Sequence, residues 1–274
     1  MPRGSAPTGV CRICGRCGPL TFEHIPPRAA FNDRVTIRAK FEDVISLGPD
    51  EIPKGSYQQG GVGFYSLCGR CNNQTGHWYG SAFVAWCYQG MDIMLRSGGN
   101  PALVHLHYLF PLRIIKQLAV MFFSINSEGF HTVNQELVGF VLNRDRIGLS
   151  PRYRFFVYYN TTGRLRYAAG TGVVQLGDGF RSGRSTVVSE ITYPPFGYLM
   201  THGDDPPDDR PLEITFFAKY DYKEFAVLDL KVPALPVHLF YPGDYRTRDQ
   251  ILEQGRKSAE LETTERNPAE RHRE

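Results

Sequence analysis

Two short stretches carry most of the chemistry this chain can do. "CRICGRCGPLTFEHIPPRAAF" begins at Cys11 and sets closely spaced cysteines ahead of a Glu-His pair and two prolines. "SLCGRCNNQTGHWYG" begins at Ser66 and adds Cys68-Gly-Arg-Cys71, an asparagine pair and a histidine. Structural zinc wants four thiolate or imidazole ligands in a tetrahedron, commonly presented as two Cys-x-x-Cys knuckles. The second knuckle is unambiguous. The first can be read as Cys11-x-x-Cys14 or Cys14-x-x-Cys17. Cys11 and Cys14 are assigned because a glycine follows Cys14 and permits a tight turn, which leaves Cys17 leading into the next strand. Free core thiols are the plain alternative. Five of six cysteines in two clusters, in a chain expected to be intracellular, favour zinc over thiols or disulfides.

Between the knuckles lies "LTFEHIPP". A carboxylate beside an imidazole can divide two jobs, Glu23 holding a hard divalent cation and His24 taking a proton from water. Neighbouring strand residues face opposite ways, so both reach one site only at a strand end or irregular turn, which Ile25-Pro26-Pro27 can supply. Alone the pair means little. Asn73 and His77 extend it, because a spacing of four places an amide and an imidazole on one face at a helix start. Such a start also favours bound phosphate. An N-cap role for Asn73 and a surface position for His77 compete with this.

Cys-x-x-Cys, a carboxylate-His pair with Ile-Pro after it, then Cys-x-x-Cys-Asn leading into a helix resembles the HNH endonucleases with zinc-ribbon cysteines, of the ββα-metal or His-Me finger superfamily. The resemblance covers about residues 8–90. It implies that His24 activates water for attack on a phosphodiester. It also implies that Glu23, Asn73 and His77 hold a catalytic Mg²⁺ or Mn²⁺, and that Cys11, Cys14, Cys68 and Cys71 hold a structural Zn²⁺. This sequence departs from the family's pattern in two places. Forty-three residues separate His24 from Cys68, more than in compact members, and "GFYSLC" lacks the asparagine that braces the loop after the base.

The elements that must position these residues follow from period and punctuation. A chain of 274 residues with 42% hydrophobic and 22% charged content can bury a sizeable core. No stretch approaches a membrane span, and the first residues lack the apolar run of a secretory signal, so a cytoplasmic location is expected. After "CNNQTG", Tyr79, Phe83, Trp86, Cys87 and Met94 recur at helical spacing until "SGGNP". Residues 101–150 read as helical, with Pro111 in a first turn and Leu112, Ile115, Leu118 and Phe122 on one stripe. A second short helix is read in "NQELVGFVLN". From 151 to 246 the period shortens. "RYRFFVYYN", "RLRYAAGTGVVQL", "EITFFAKY" and "FAVLDLKV" read as strands of a mainly antiparallel sheet. The tail beyond 247 is charged and reads as a frayed helix or disorder.

The expected fold is therefore α+β: a zinc-braced ββα-metal domain over 1–100, an α+β region over 101–246 and a charged tail over 247–274. The expected function is metal-dependent cleavage of nucleic acid, with DNA favoured over RNA by the resemblance. Net charge is only +3, yet residues 1–40 hold seven Lys or Arg against Glu23 and Asp33. Arg28, Arg34, Arg38 and Lys40 could follow a phosphate backbone. A regulatory protein or a second copy could dock on the C-terminal region. Two other classes compete: a non-catalytic zinc-ribbon module that binds nucleic acid, and an RNA-cleaving toxin. His105-x-His107 read as core or surface histidines, His202 with Asp204 and Asp205 as an exposed loop, and Cys87 as a buried, inert thiol, and no phosphate-binding loop or nucleophile elbow occurs.

Overall fold

Short strands around the two cysteine knuckles build the first layer. The computed structural model describes residues 6–39, 41–44, 47–48, 51–99, 104–176 and 183–266. Within it β1 (Thr8–Val10) and β2 (Cys17–His24) form an antiparallel pair. The segment between His24 and Cys68 then leaves the sheet. It makes a two-stranded ribbon of β3 (Thr36–Arg38) and β4 (Ser56–Gln58), with the single-turn helix α1 (Phe41–Val44) between them. The chain returns as β5 (Gly63–Cys68), antiparallel to β2, completing a sheet of order β1-β2-β5. The ribbon thus lies within the forty-three residues that separate His24 from Cys68.

The expected helix after the second knuckle is present in three pieces. α2 (Gly69–Thr75) starts directly from β5, a π-helical turn follows over Gly76–Gly80, and α3 (Ser81–Arg96) continues. Gly98 and Gly99 sit at positive φ just past its end, as a helix stop requires. Tyr79, Phe83 and Trp86 are fully buried along one side, following the spacing read from the sequence.

Residues 101–150, which read as helical, include a strand. β6 (His105–Leu109) comes before α4 (Pro111–Ile125), α5 (Phe130–Val133) and α6 (Gln135–Leu142). "HLHYL" alternates, with His107 and Leu109 buried while Leu106 and Tyr108 face out, which is a strand's period. Pro111 occupies the first turn of α4. This helix is buried on all sides rather than on one stripe, and even Lys116 is enclosed, donating to the carbonyls of Asn143 (2.6 Å) and Arg144 (2.9 Å).

The C-terminal strands are β7 (Arg154–Asn160), β8 (Arg166–Leu176), β9 (Gly183–Tyr193), β10 (Phe196–Thr201), β11 (Leu212–Glu213), β12 (Ala226–Leu230) and β13 (Ala234–Leu235). Their main sheet has the order β11-β7-β10-β9-β8, antiparallel throughout, with β13 joining β7 in parallel. β12 instead pairs with β6. Alternation along β7 serves two cores. Phe155, Val157 and Tyr159 enter the main one, and Phe156 and Tyr158 a smaller one with Leu199, Leu235, Val237 and Tyr245.

"EITFFAKY" was expected to be a strand and is mostly a 3₁₀ helix over Thr215–Lys219. Its buried apolar residues are Ile214, Phe217 and Ala218, spaced by three and four, so the helical period wins over β propensity. The tail forms α7 (Arg248–Arg266). The main core includes Cys11, Trp86, Leu118, Phe155 and Val232, so it takes in residues from both sides of position 100. Among the described residues, no helix is long and apolar enough to cross a membrane.

Candidate functional site

The four knuckle cysteines converge. The Sγ atoms of Cys11, Cys14, Cys68 and Cys71 all lie within 4.8 Å of one another. Cys14 and Cys68 are 3.9 Å apart, close to the ~3.8 Å edge of a tetrahedron with Zn–S bonds of ~2.3 Å. Backbone closes the first knuckle: Gly15 N donates to Cys11 O (2.8 Å) and Cys11 N to Arg16 O (2.9 Å). Gly15 has φ +70, and a Cβ there would lie 2.5 Å from His131 Nε2, so this turn needs glycine. Cys17 is exposed at the start of β2 and outside the group. A hydrogen bond from Cys71 pulls the Cys11 thiol down to about 4, helped against desolvation by the backbone N–H groups of Cys14, Cys68 and Ile13. The same contact, with burial, pushes Cys71 up. One thiolate is therefore already favoured in this soft, four-sulfur donor set, which fits a tetrahedral metal such as zinc.

The quartet joins three elements. Cys11 and Cys14 lie between β1 and β2, Cys68 ends β5, and Cys71 sits in the first turn of α2. A side-chain relay strengthens the joint: Asn72 Nδ2 donates to Thr21 Oγ1 (3.0 Å), and Thr21 Oγ1 donates to Leu67 O (2.9 Å). Helix α2 is thereby held against the strand that ends in Glu23 and His24.

Those two residues differ sharply. His24 is half-buried at the last position of β2, and its ring meets Phe22 edge-on at 4.9 Å, so the two share a side of the strand. Its Nε2 lies 3.0 Å from Gly60 O. A carbonyl can only accept, so Nε2 carries the proton and Nδ1 is left with the lone pair. Glu23 points the other way and is buried. Its Oε2 has no hydrogen-bond partner among the described residues. Burial pushes the carboxyl up to about 8.

The loop after His24 is tied down by a residue the sequence did not single out. Asn32, fully buried, donates from Nδ2 to Pro26 O (2.7 Å) and Val62 O (2.7 Å), and its Oδ1 accepts from Val62 N (2.7 Å). Val62 directly precedes β5, so these bonds join the loop after β2 to the start of β5. Gly61, at φ +94, lies so close that a Cβ there would be 2.1 Å from Asn32 O. Two hydroxyls from the main sheet add to this, Tyr167 donating to Ile25 O (2.6 Å) and Tyr193 to Phe31 O (2.9 Å). "AAFNDR" offers no periodicity or motif spacing that marks Asn32, and the tyrosines lie more than 140 residues downstream of their partners.

The remaining site residues are spread out. Asn73 and His77 are both exposed, one in α2 and the other in the π-helical turn. Cys68, not Asn73, occupies the N-cap position of α2. Arg28 and Arg34 line one surface cavity together with Phe31 and Tyr88, whose rings are 4.7 Å apart. Arg38 lies on the β3–β4 ribbon beside a different cavity, and Lys40 falls outside the described residues. Among the described residues, the cysteine quartet is the one place where three or more His, Cys, Asp or Glu ligand atoms come together. In comparisons with known proteins the chain matches no family model, no curated protein and no solved structure.

Proposed function

We propose that this chain is a metal-dependent endonuclease of the HNH kind, with a structural zinc at Cys11, Cys14, Cys68 and Cys71. The observation that carries this reading is the cysteine quartet itself. It fastens the strand ending in Glu23-His24 to the helix bearing Asn73 and to the turn bearing His77, an economical way to hold a small nuclease site in register.

Within that reading His24 is the general base. Its Nε2–H is committed to Gly60 O, so Nδ1 is the atom that takes a proton from water, and the braced loop keeps the ring from turning. On the resemblance Glu23, Asn73 and His77 would hold the catalytic Mg²⁺ or Mn²⁺, although Glu23 Oε2 is buried while Asn73 and His77 are exposed. A divalent ion in such a site neutralises phosphate charge and stabilises the departing oxygen. Arg28 and Arg34 would approach the phosphate backbone, with DNA preferred to RNA on the resemblance alone, and contacts of this kind weaken with salt. The protein would act as a soluble cytoplasmic enzyme, and its C-terminal region is open to a second copy or a regulatory partner.

One observation favours a second reading, a zinc-ribbon module that binds nucleic acid without cutting it. Glu23 and His24 face opposite sides of β2, and among the described residues Glu23 does not converge with two other acidic, cysteine or histidine ligands. Cleavage of plasmid DNA and of single-stranded RNA with Mg²⁺ or Mn²⁺ separates the two. The nuclease cuts one of them in a His24-dependent way, whereas the module only binds, with affinity that falls as salt rises.

A further inference from the structure

A cavity of about 730 Å³ lies apart from the cysteine quartet, between the β3–β4 ribbon, β5, strand β8 and the turn at 240–242. That volume is within the ~300–1,000 Å³ range of small-molecule sites. Val44, Val62, Phe64, Ala168 and Phe240 give it apolar walls. Phe64 meets Tyr167 edge-on at 6.3 Å, so one wall is aromatic and firmly backed.

Two arginines line this apolar space. Arg38 is exposed on the ribbon. Arg166 is only 3% exposed and belongs to a buried network. Its Nη1 donates to the carbonyls of Leu239 (3.0 Å), Tyr241 and Asp244, and its Nη2 to Glu190 Oε1 (2.7 Å). Glu190 also accepts from the hydroxyls of Tyr158 and Tyr245. In a guanidinium so fully used, Nε has no partner among the described residues. That nitrogen is closed to solvent, so the cation that an occupant of the cavity can meet is Arg38.

We propose that this cavity is a binding site for a small, flat, amphipathic anion. The apolar or aromatic body lies against Phe64, Val62 and Phe240, and a carboxylate-, sulfonate- or phosphate-type group meets Arg38. An added peptide strand suits the place less well. β8 has an open edge, but its pairing is interrupted between Ala168 and Thr171, and a bulge of this kind turns an edge away from regular extension. The site reaches the strand end described above through β5. Gly63 and Phe64 line the cavity and pair with His24 and Glu23 across the sheet. An occupant therefore props the strand against which His24 is held. The assignment does not depend on the chain being a nuclease.

The test uses the full chain and two dyes of nearly the same shape: 1-anilinonaphthalene-8-sulfonate, an anion, and N-phenyl-1-naphthylamine, which is uncharged. The sulfonate should bind saturably at one site, with enhanced blue-shifted emission and a raised melting temperature. The neutral dye should bind roughly tenfold more weakly, the ordinary worth of one charge-assisted hydrogen bond. Ala168→Trp fills the cavity from β8, and Ile37→Asp puts a negative charge on the exposed ribbon opposite. Each should weaken sulfonate binding at least tenfold while the protein melts as before. Unchanged binding in both variants places the dye elsewhere and overturns the site. Equal affinity for the two dyes overturns its preference for anions, and no saturable binding of either dye overturns the proposal as a whole.

Discussion

The hydroxyl of Tyr167, in the main sheet, donates a 2.6 Å hydrogen bond to the carbonyl of Ile25, the residue directly after His24. The C-terminal region therefore helps set where the end of β2 lies. Ile25 is fully buried, so removing the donor strands a carbonyl away from water. Tyr167→Phe keeps the ring against Phe64 and deletes only that donor. It should cost on the order of 1–3 kcal/mol in a urea melt. If the stability is unchanged, water reaches Ile25 O and the sheet does not brace this loop.

Asn32 tests the same loop from its other side. Asn32→Ala removes two donors and one acceptor and takes from Pro26 O and Val62 N their partner, while Val62 O still accepts from Ile25 N (3.0 Å). A loss of about 3 kcal/mol or more is expected. Asn32→Asp keeps the shape but cannot donate to either carbonyl, so it should be nearly as damaging at neutral pH. A mild Asn32→Asp phenotype would show that shape, not hydrogen bonding, holds the loop.

Metal content should follow the sulfur geometry. The purified chain should carry one equivalent of zinc, and Cys68→Ser or Cys71→Ser should lose it along with the fold of the first sheet. Cys17→Ser should retain it, because Cys17 is exposed and outside the quartet. Removing zinc with a strong chelator should lower the melting temperature markedly, since metal affinity in such sites is folding free energy. Full zinc in Cys68→Ser would contradict the assignment.

Glu23 makes a prediction about pH. Its ordinary value is 4.5, and in the fold burial pushes it to about 8. Below pH 4.5 both states hold the proton and Glu23 adds no pH dependence. Between 4.5 and 8 the unfolded chain releases a proton that the folded chain keeps, so stability falls as pH rises, and above 8 the loss is complete. Without added divalent ion, Glu23→Gln should be more stable than wild type at pH 8.5, by an amount on the order of a few kcal/mol, with the gap closing towards pH 4.5. Parallel stability curves for the two proteins would mean that water or a bound cation already satisfies the carboxylate.

The sequence was most informative where chemistry sets spacing. Two Cys-x-x-Cys knuckles sufficed to bring Cys11, Cys14, Cys68 and Cys71 together, and Pro111 and the glycines at 98 and 99 marked real helix ends. It was least informative where tertiary contact decides. "HLHYL" is a strand because β12 pairs with it, and "TFFAK" is helical because Ile214, Phe217 and Ala218 share one buried side. The burial of Glu23 could not be read from an isolated Glu-His pair, because it depends on which face of β2 the rest of the chain covers. Asn32 stayed hidden for a related reason: its role depends on Val62, thirty residues away across a loop.

His24 is where the proposed function can be tested most directly. Plasmid DNA and single-stranded RNA should be incubated with wild type and with His24→Ala, in Mg²⁺ or Mn²⁺, with zinc content measured in both proteins. The account predicts cleavage by wild type, loss of at least a hundredfold in His24→Ala, and equal zinc in the two. Equal cleavage by both proteins, or none by either alongside salt-sensitive binding, would contradict it.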